Sequence, residues 1–139
     1  MTLTFENVRN CGIRIKGKGG PAVMVEMEYL PECSKNSYKL RNGVIKKQVR
    51  DWMEQLAWMV KVLMNSARLT FKLPVKIMLA GEFKDNRSCP DLHNMILVIC
   101  DAVANGLGMD DRYFEVEVGV SKVVKGCEPK LIITISGGA

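Results

Sequence analysis

The chain has 139 residues, of which 47% are hydrophobic and 25% charged, and its formal net charge is +5 at pH 7. This length suits one domain with a substantial core, and the composition is ordinary for a globular protein. No apolar run approaches the roughly 20 residues of a membrane-spanning helix, and the N-terminus lacks the pattern of a secretory signal. We therefore expect a cytoplasmic protein with no membrane partner.

The five cysteines are odd in number and widely spaced, and none of them form a Cys-x-x-Cys motif. This usage is typical of a reducing compartment and not of a disulfide framework. Cys89 and His93 are four residues apart and could share a metal ion, but two ligands do not define a zinc site. A buried thiol near an unrelated imidazole is the simpler interpretation.

The first half of the chain begins with residues 1–21, whose uneven pattern indicates an N-terminal arm or an added hairpin. Residues 22–30 alternate between apolar and polar and predict a strand, and the turn-forming residues of 31–43 predict a loop. From position 44 to about 67 apolar residues recur at helical spacing and predict an amphipathic helix. We interpret both of its tryptophans, Trp52 and Trp58, as core residues and not as base-stacking platforms.

Positive charge is concentrated between Lys35 and Arg50, where there are six basic residues and no acidic one. Three of these cations fall in the first turns of the predicted helix, where the helix dipole disfavours them unless a phosphate lies nearby. From Asp101 onward the sequence contains six acidic and four basic residues. This distribution suits a polyanion that is held by one part of the protein and processed by another, although a solvated Lys-rich loop would give the same pattern.

In the second half, residues 73–83 and 112–124 predict strands, and residues 130–137 predict an antiparallel partner for the latter. A helix from about Asp91 to Asn105 separates the first two. Its apolar residues occupy more than one side, so we expect a second cover besides the sheet, such as another subunit. The order strand, helix, strand, helix, strand, strand predicts an α+β domain, a mixed sheet with helices packed on one face.

Several Asp and Asn side chains surround the helix of residues 91–105, and a bound cation would explain why they gather there. Spacing alone favours a simpler interpretation of each residue. Asp91 suits a helix cap, Asp110 and Asp111 suit a turn before a strand, and Asp101 suits a structural role.

With these residues laid out, the chain resembles the RusA family of Holliday junction resolvases over roughly residues 22–139. The resemblance rests on the order and spacing of LPECSKNSYK (30–39), LPVKI (73–77), Asp91-x-x-Asn94, Asp101-Ala102-Val103 and the pair Asp110-Asp111. It implies a homodimeric, magnesium-dependent endonuclease, a crossover junction endodeoxyribonuclease that binds four-way DNA junctions and nicks them symmetrically.

The resemblance also implies the site. The catalytic carboxylates correspond to Asp91 and Asp111, while His93 stands where the family has another Asp and Leu97 where it has a Lys. A lone His is more often a surface residue than a ligand. Asp91 and Asp111 would hold Mg²⁺, or Mn²⁺, which tolerates nitrogen ligands better, with Asp110 or Asp101 as a further donor.

For DNA binding, the resemblance implies Asn36 and Tyr38 near the crossover, and charge adds Lys39, Arg41, Lys46, Lys47 and Arg50 as phosphate contacts. The departures at His93 and Leu97 leave an alternative open: a RusA-like protein that binds branched DNA without cutting it. A partner-binding scaffold with no role on DNA is a third class, which the apolar helix alone would support.

Overall fold

Six strands form one mixed sheet and two α-helices pack on one of its faces in the computed structural model, which describes residues 5–15 and 20–137. The predicted α+β architecture is therefore confirmed. Within these ranges no helix is both long and apolar enough to cross a membrane. The elements are β1 (Val8–Arg14), β2 (Ala22–Glu28), α1 (Lys47–Ser66), β3 (Val75–Phe83), α2 (Ile96–Leu107), β4 (Phe114–Val118), β5 (Lys122–Val123) and β6 (Lys130–Ser136).

The strand order is β1-β2-β6-β3-β4, and β5 pairs with the far end of β3. Strands β3 and β4 are parallel because α2 carries the chain back across the sheet between them. The single strand predicted over residues 112–124 is divided into β4 and β5. The break begins at Gly119, whose N–H donates to the Leu79 carbonyl at 2.8 Å, and it includes Val120, which is 95% exposed.

The predicted pairing of residues 130–137 with the preceding strand is wrong. Strand β6 lies instead between β2 and β3 and is antiparallel to both. The composition of the two strands explains this arrangement: β6 buries Leu131, Ile133 and Ile135, whereas β4 alternates with exposed Glu115 and Glu117. Charged side chains suit an edge strand, and a strand rich in β-branched residues suits the centre of the sheet.

The core lies between the sheet and the apolar side of α1. Trp52 is fully buried there, as predicted, and its Nε1 donates to the Glu28 carbonyl at 2.9 Å. The prediction for Trp58 is wrong, because this side chain is 47% exposed.

The region of the predicted arm or hairpin, residues 1–21, is described only at 5–15 and 20–21. Within it β1 pairs antiparallel with β2. Just before β1, Asn7 is joined to buried Gln55 of α1 by two bonds: its N–H donates to Oε1 at 2.8 Å, and its Oδ1 accepts from Nε2 at 2.7 Å. These contacts fix the start of β1 to the helix layer.

Helix α2 both begins and ends later in the chain than predicted. It follows a 3-10 turn, Leu92–Met95, and it ends at Gly108, whose φ of 69° is the left-handed conformation that glycine adopts without strain. Gly106 lies inside the helix, buried against Ala57 of α1. The second apolar side of α2 is thus covered by α1 within the same chain, and Leu97 remains 42% exposed.

Candidate active site

Asp91 caps the 3-10 turn that leads into α2. Its Oδ1 accepts a hydrogen bond from the His93 N–H at 3.0 Å and lies 2.9 Å from His93 Nδ1. The bonds from the His93 ring and backbone hold the pKa of Asp91 below its usual range. Both side chains are exposed, and Asp91 Oδ2 takes no part in these bonds. The geometry is that of a cap formed by Oδ1 of an exposed carboxylate.

A second group of carboxylates lies further along α2. Leu97, Asp101 and Asn105 follow one another at four-residue spacing on the exposed side of the helix. The reversal at Gly108 brings Asp111, which starts a short 3-10 turn, next to Asp101. Partial removal from water and the negative charge of Asp111 raise the pKa of Asp101. Two carboxylates that repel each other in this way attract a cation between them.

Asp110 has a different role from its neighbour Asp111. Its Oδ1 accepts from the Arg112 N–H at 2.9 Å, and this bond lowers the pKa of Asp110. Its Oδ2 lies 3.8 Å from Arg112 Nε. Asp110 is therefore engaged in capping its own turn, which leaves Asp111 as the member of the pair that faces Asp101.

Among residues 5–15 and 20–137, no three His, Cys, Asp or Glu side chains converge in a geometry that could hold a metal ion. The structure groups the predicted residues into two pairs, Asp91 with His93 and Asp111 with Asp101. The oxygen donors of the second pair nevertheless fit Mg²⁺ in their chemistry, since Mg²⁺ commonly binds one or two carboxylates and keeps several waters. The sequence leaves Asp101 with two interpretations, a structural residue or a further oxygen donor, and its proximity to Asp111 favours the second.

The basic loop between β2 and α1 lies alongside these carboxylates. The backbone N–H of Lys35 donates to the Asn94 carbonyl at 2.8 Å, which ties the loop to the turn before α2. After the bonds from His93, the charge of Lys35 further lowers the pKa of Asp91, and the charge of Lys39 opposes the raised pKa of Asp101. The fold thus brings cations from the first half of the chain to acids from the second.

The other predicted DNA contacts lie along this loop and at the start of α1. Tyr38 packs against the core, with Lys39 Nζ 5.2 Å from its ring centroid, while Asn36, Arg41 and Arg50 are exposed. Lys46 is the N-cap residue of α1 but makes no side-chain capping bond, and the first turn contains no acid. Lys47 lies 3.4 Å from Asp51. The start of α1 therefore presents backbone amide donors together with positive charge.

The chain belongs to the endodeoxyribonuclease RusA family, whose family model matches residues 28–136. The matched range includes the basic loop and the whole stretch from Asp91 to Asp111. It leaves out β1 and nearly all of β2. No curated protein sequence matches the chain.

The chain also shows a distant similarity to several solved structures, with which it shares little sequence. The protein Atu1372 of unknown function from Agrobacterium tumefaciens is 13% identical with a TM-score of 0.41, over 91% of this chain and 82% of that one. The bifunctional IspDF from Campylobacter jejuni is 12% identical with a TM-score of 0.37, over 58% of this chain and 21% of that one. IspF from Plasmodium falciparum, in a CDP complex, is 12% identical with a TM-score of 0.37, over 73% of this chain and 64% of that one. The chain thus spans less than two thirds of the length of the latter two proteins.

Proposed function

We propose that this protein is a structure-specific DNA endonuclease that resolves Holliday junctions by symmetrical, metal-dependent nicking. One observation carries the proposal: the basic loop is fixed beside the carboxylates of α2, through the bond between Lys35 and Asn94 and the proximity of Lys39 to Asp101. Hydrolysis of a phosphodiester requires cations that hold the strand and oxygen ligands that hold a metal at the cleaved phosphate. Membership of the RusA family supports the same chemistry.

In this proposal Asp111 and Asp101, which lie side by side, hold the metal, and Asp91, which is paired with His93, is the further ligand that the resemblance implies. Asp110 is a poorer donor, because its oxygens face Arg112. When bound, Mg²⁺ or Mn²⁺ would neutralise charge on the phosphate and lower the pKa of the attacking water. His93, hydrogen-bonded to Oδ1 of Asp91, would fix the orientation of that carboxylate.

The DNA would lie across the basic loop and the start of α1. Asn36 and Tyr38 are the proposed contacts near the crossover, and Lys39, Arg41, Lys46, Lys47 and Arg50 are the proposed phosphate contacts. Such contacts give affinity that falls with salt and carries little sequence preference. Symmetrical nicks in two strands need two sites, so the proposal includes a homodimer.

Nicking of a synthetic four-way junction, in Mg²⁺ and separately in Mn²⁺, tests the proposal. We expect paired nicks at symmetrical positions, no cleavage of a duplex with the same arm sequence, and loss of nicking in Asp111→Asn. Asp111→Asn is nearly isosteric, so its loss of activity would reflect the missing charge and not a change in packing. Cleavage that survives this substitution would contradict the assignment.

A second candidate function, junction binding without cutting, is favoured by the surroundings of His93 and Leu97. His93 Nδ1 is already paired with Asp91, and Leu97 presents an exposed apolar side chain where the resemblance implies a lysine. This candidate predicts salt-sensitive junction binding with no nicks in either metal. The double variant His93→Asp with Leu97→Lys should then gain cleavage, whereas continued inactivity would locate the loss elsewhere.

A further inference from the structure

Trp58 lies in an open groove between α1 and α2. Its side chain is 47% exposed, and Lys61 Nζ lies 5.9 Å from the centroid of its ring. The groove beside it has a volume of about 250 Å³. Its lining, which we name the Trp58 groove, consists of Glu54, Ala57, Trp58, Lys61, Asn105 and Gly106.

The Trp58 groove starts close to the candidate active site. Asn105 follows Asp101 by four residues on the same side of α2, so the two side chains are neighbours, about 6 Å apart along the helix. At the floor of the groove, Gly106 allows the two helices to approach closely. A methyl group at this position would lie 2.5 Å from the Ala57 carbonyl oxygen. A strand that passed from Asp101 along α2 would therefore reach Trp58 next.

We propose that the Trp58 groove holds one unpaired nucleobase of the DNA strand, stacked on Trp58, next to the site of cutting. This inference rests on the proposed function. Single-stranded nucleotides are recognised by an aromatic face for the base, a cation for the phosphate and an amide that bonds the base edge. Trp58, Lys61 and Asn105 provide these three groups around one groove.

The size of the groove favours a base over a second copy of the chain. The exposed apolar residues of α1 are Trp58 and, one turn later, Val62. A large aromatic side chain can bury at most about 250 Å² of surface in an interface. A stable protein interface buries about 800 Å² per partner, which is more than these two side chains offer. The mixed charges of Glu54 and Lys61 at the rim also keep the apolar patch small.

Junction binding by the intact protein, measured by fluorescence anisotropy in EDTA so that no strand is cut, tests the inference. Against a four-way junction, Trp58→Ala should lower affinity about 5- to 150-fold, which is the loss of one stacked base. Trp58→Phe should restore most of this loss, and Val62→Ala, the matched exposed apolar residue, should leave affinity unchanged. Affinity for a fully paired duplex should stay the same in all four proteins.

The possible results separate this inference from the proposed function. If the wild-type protein does not prefer the junction to the duplex, the proposed function fails and takes the inference with it. If the wild-type protein prefers the junction and Trp58→Ala binds it equally well, only the stacked base is refuted. A change of Trp58→Ala from dimer to monomer in sedimentation would also refute it, because the groove would then be a contact between subunits.

Discussion

Gly106 forms the closest contact between the two helices, so replacing it by alanine should force them apart. The added methyl carbon would lie 2.5 Å from the Ala57 carbonyl oxygen and 3.1 Å from both Ala57 Cα and Val60 Cβ. Non-bonded atoms prefer separations of about 3.5–4.0 Å, so relief of the contact requires a shift of about 1 Å. The closest neighbour is backbone, which cannot move aside as a flexible side chain can.

The size of the effect follows from two opposing contributions to the free energy of unfolding. Alanine is favoured over glycine inside a helix by about 1 kcal/mol. Overpacking costs about 1–3 kcal/mol, and a clash with backbone belongs at the upper end of that range. We therefore expect Gly106→Ala to destabilise the protein by about 2 kcal/mol, which for a domain of this size lowers Tm by about 6–8 °C.

Thermal and urea unfolding measure this loss, and Asn105→Ala is the matched control. Asn105 is the preceding residue of α2 but is exposed, so alanine there should raise stability by a few tenths of a kcal/mol through helix propensity alone. Junction nicking should also fall in Gly106→Ala, because α2 carries Asp101. A Gly106→Ala protein as stable as the wild type would refute the close helix contact and the geometry of the Trp58 groove that depends on it.

Three other predictions concern charge. Because the pKa of Asp101 is raised in the folded protein, stability should fall as pH rises above about 4, the pKa of an unfolded Asp. Asp101→Asn should therefore raise Tm at pH 7 but not at pH 3.5. Equal Tm values for the variant and the wild type at pH 7 would contradict this prediction. Lys130 Nζ lies 2.5 Å from Oε1 of Glu26, which is 8% exposed and has a pKa lowered chiefly by that bond, so Lys130→Met should cost about 2 kcal/mol in urea unfolding at pH 7. This cost should shrink as pH falls below about 4.5, the ordinary pKa of Glu, towards the lowered pKa of Glu26 in the folded protein. A cost that does not change with pH over this range would rule out the pair as the cause. Lys39→Ala should reduce the slope of log affinity for junction DNA against log salt by about 1, and an unchanged slope would exclude a phosphate contact.

The strands could be predicted from the sequence, but one of their pairings could not. Alternation of apolar and polar residues identifies a strand from its own residues, as for β2, β3 and β6. The neighbour of a strand depends on the whole sheet, and β6 pairs with β2, about a hundred residues earlier in the chain. The two glutamates of β4 were the available signal that this strand lies at an edge.

The site could be predicted in part, for a similar reason. The cap formed by Asp91 is local, and the spacing of residues 91–94 predicted it. The proximity of Asp101 to Asp111 depends on the left-handed turn at Gly108, which a linear pattern does not express. The size and aromatic character of Trp58 favour a core position, but Trp58 lies outside the helical spacing of the buried residues around Trp52 and is exposed.

The two hydrogen bonds between Asn7 and Gln55 show that the folded domain includes residues that precede the segment matched by the family model. The family match starts at residue 28, yet Val23, Val25 and Met27 of β2 are fully buried in the core. A fragment trimmed to the matched residues would lose the β2 neighbour of β6 and both hydrogen bonds between Asn7 and Gln55. The family match and the folding unit therefore have different boundaries here, because the segment that the RusA family model matches is shorter than the segment that builds the core.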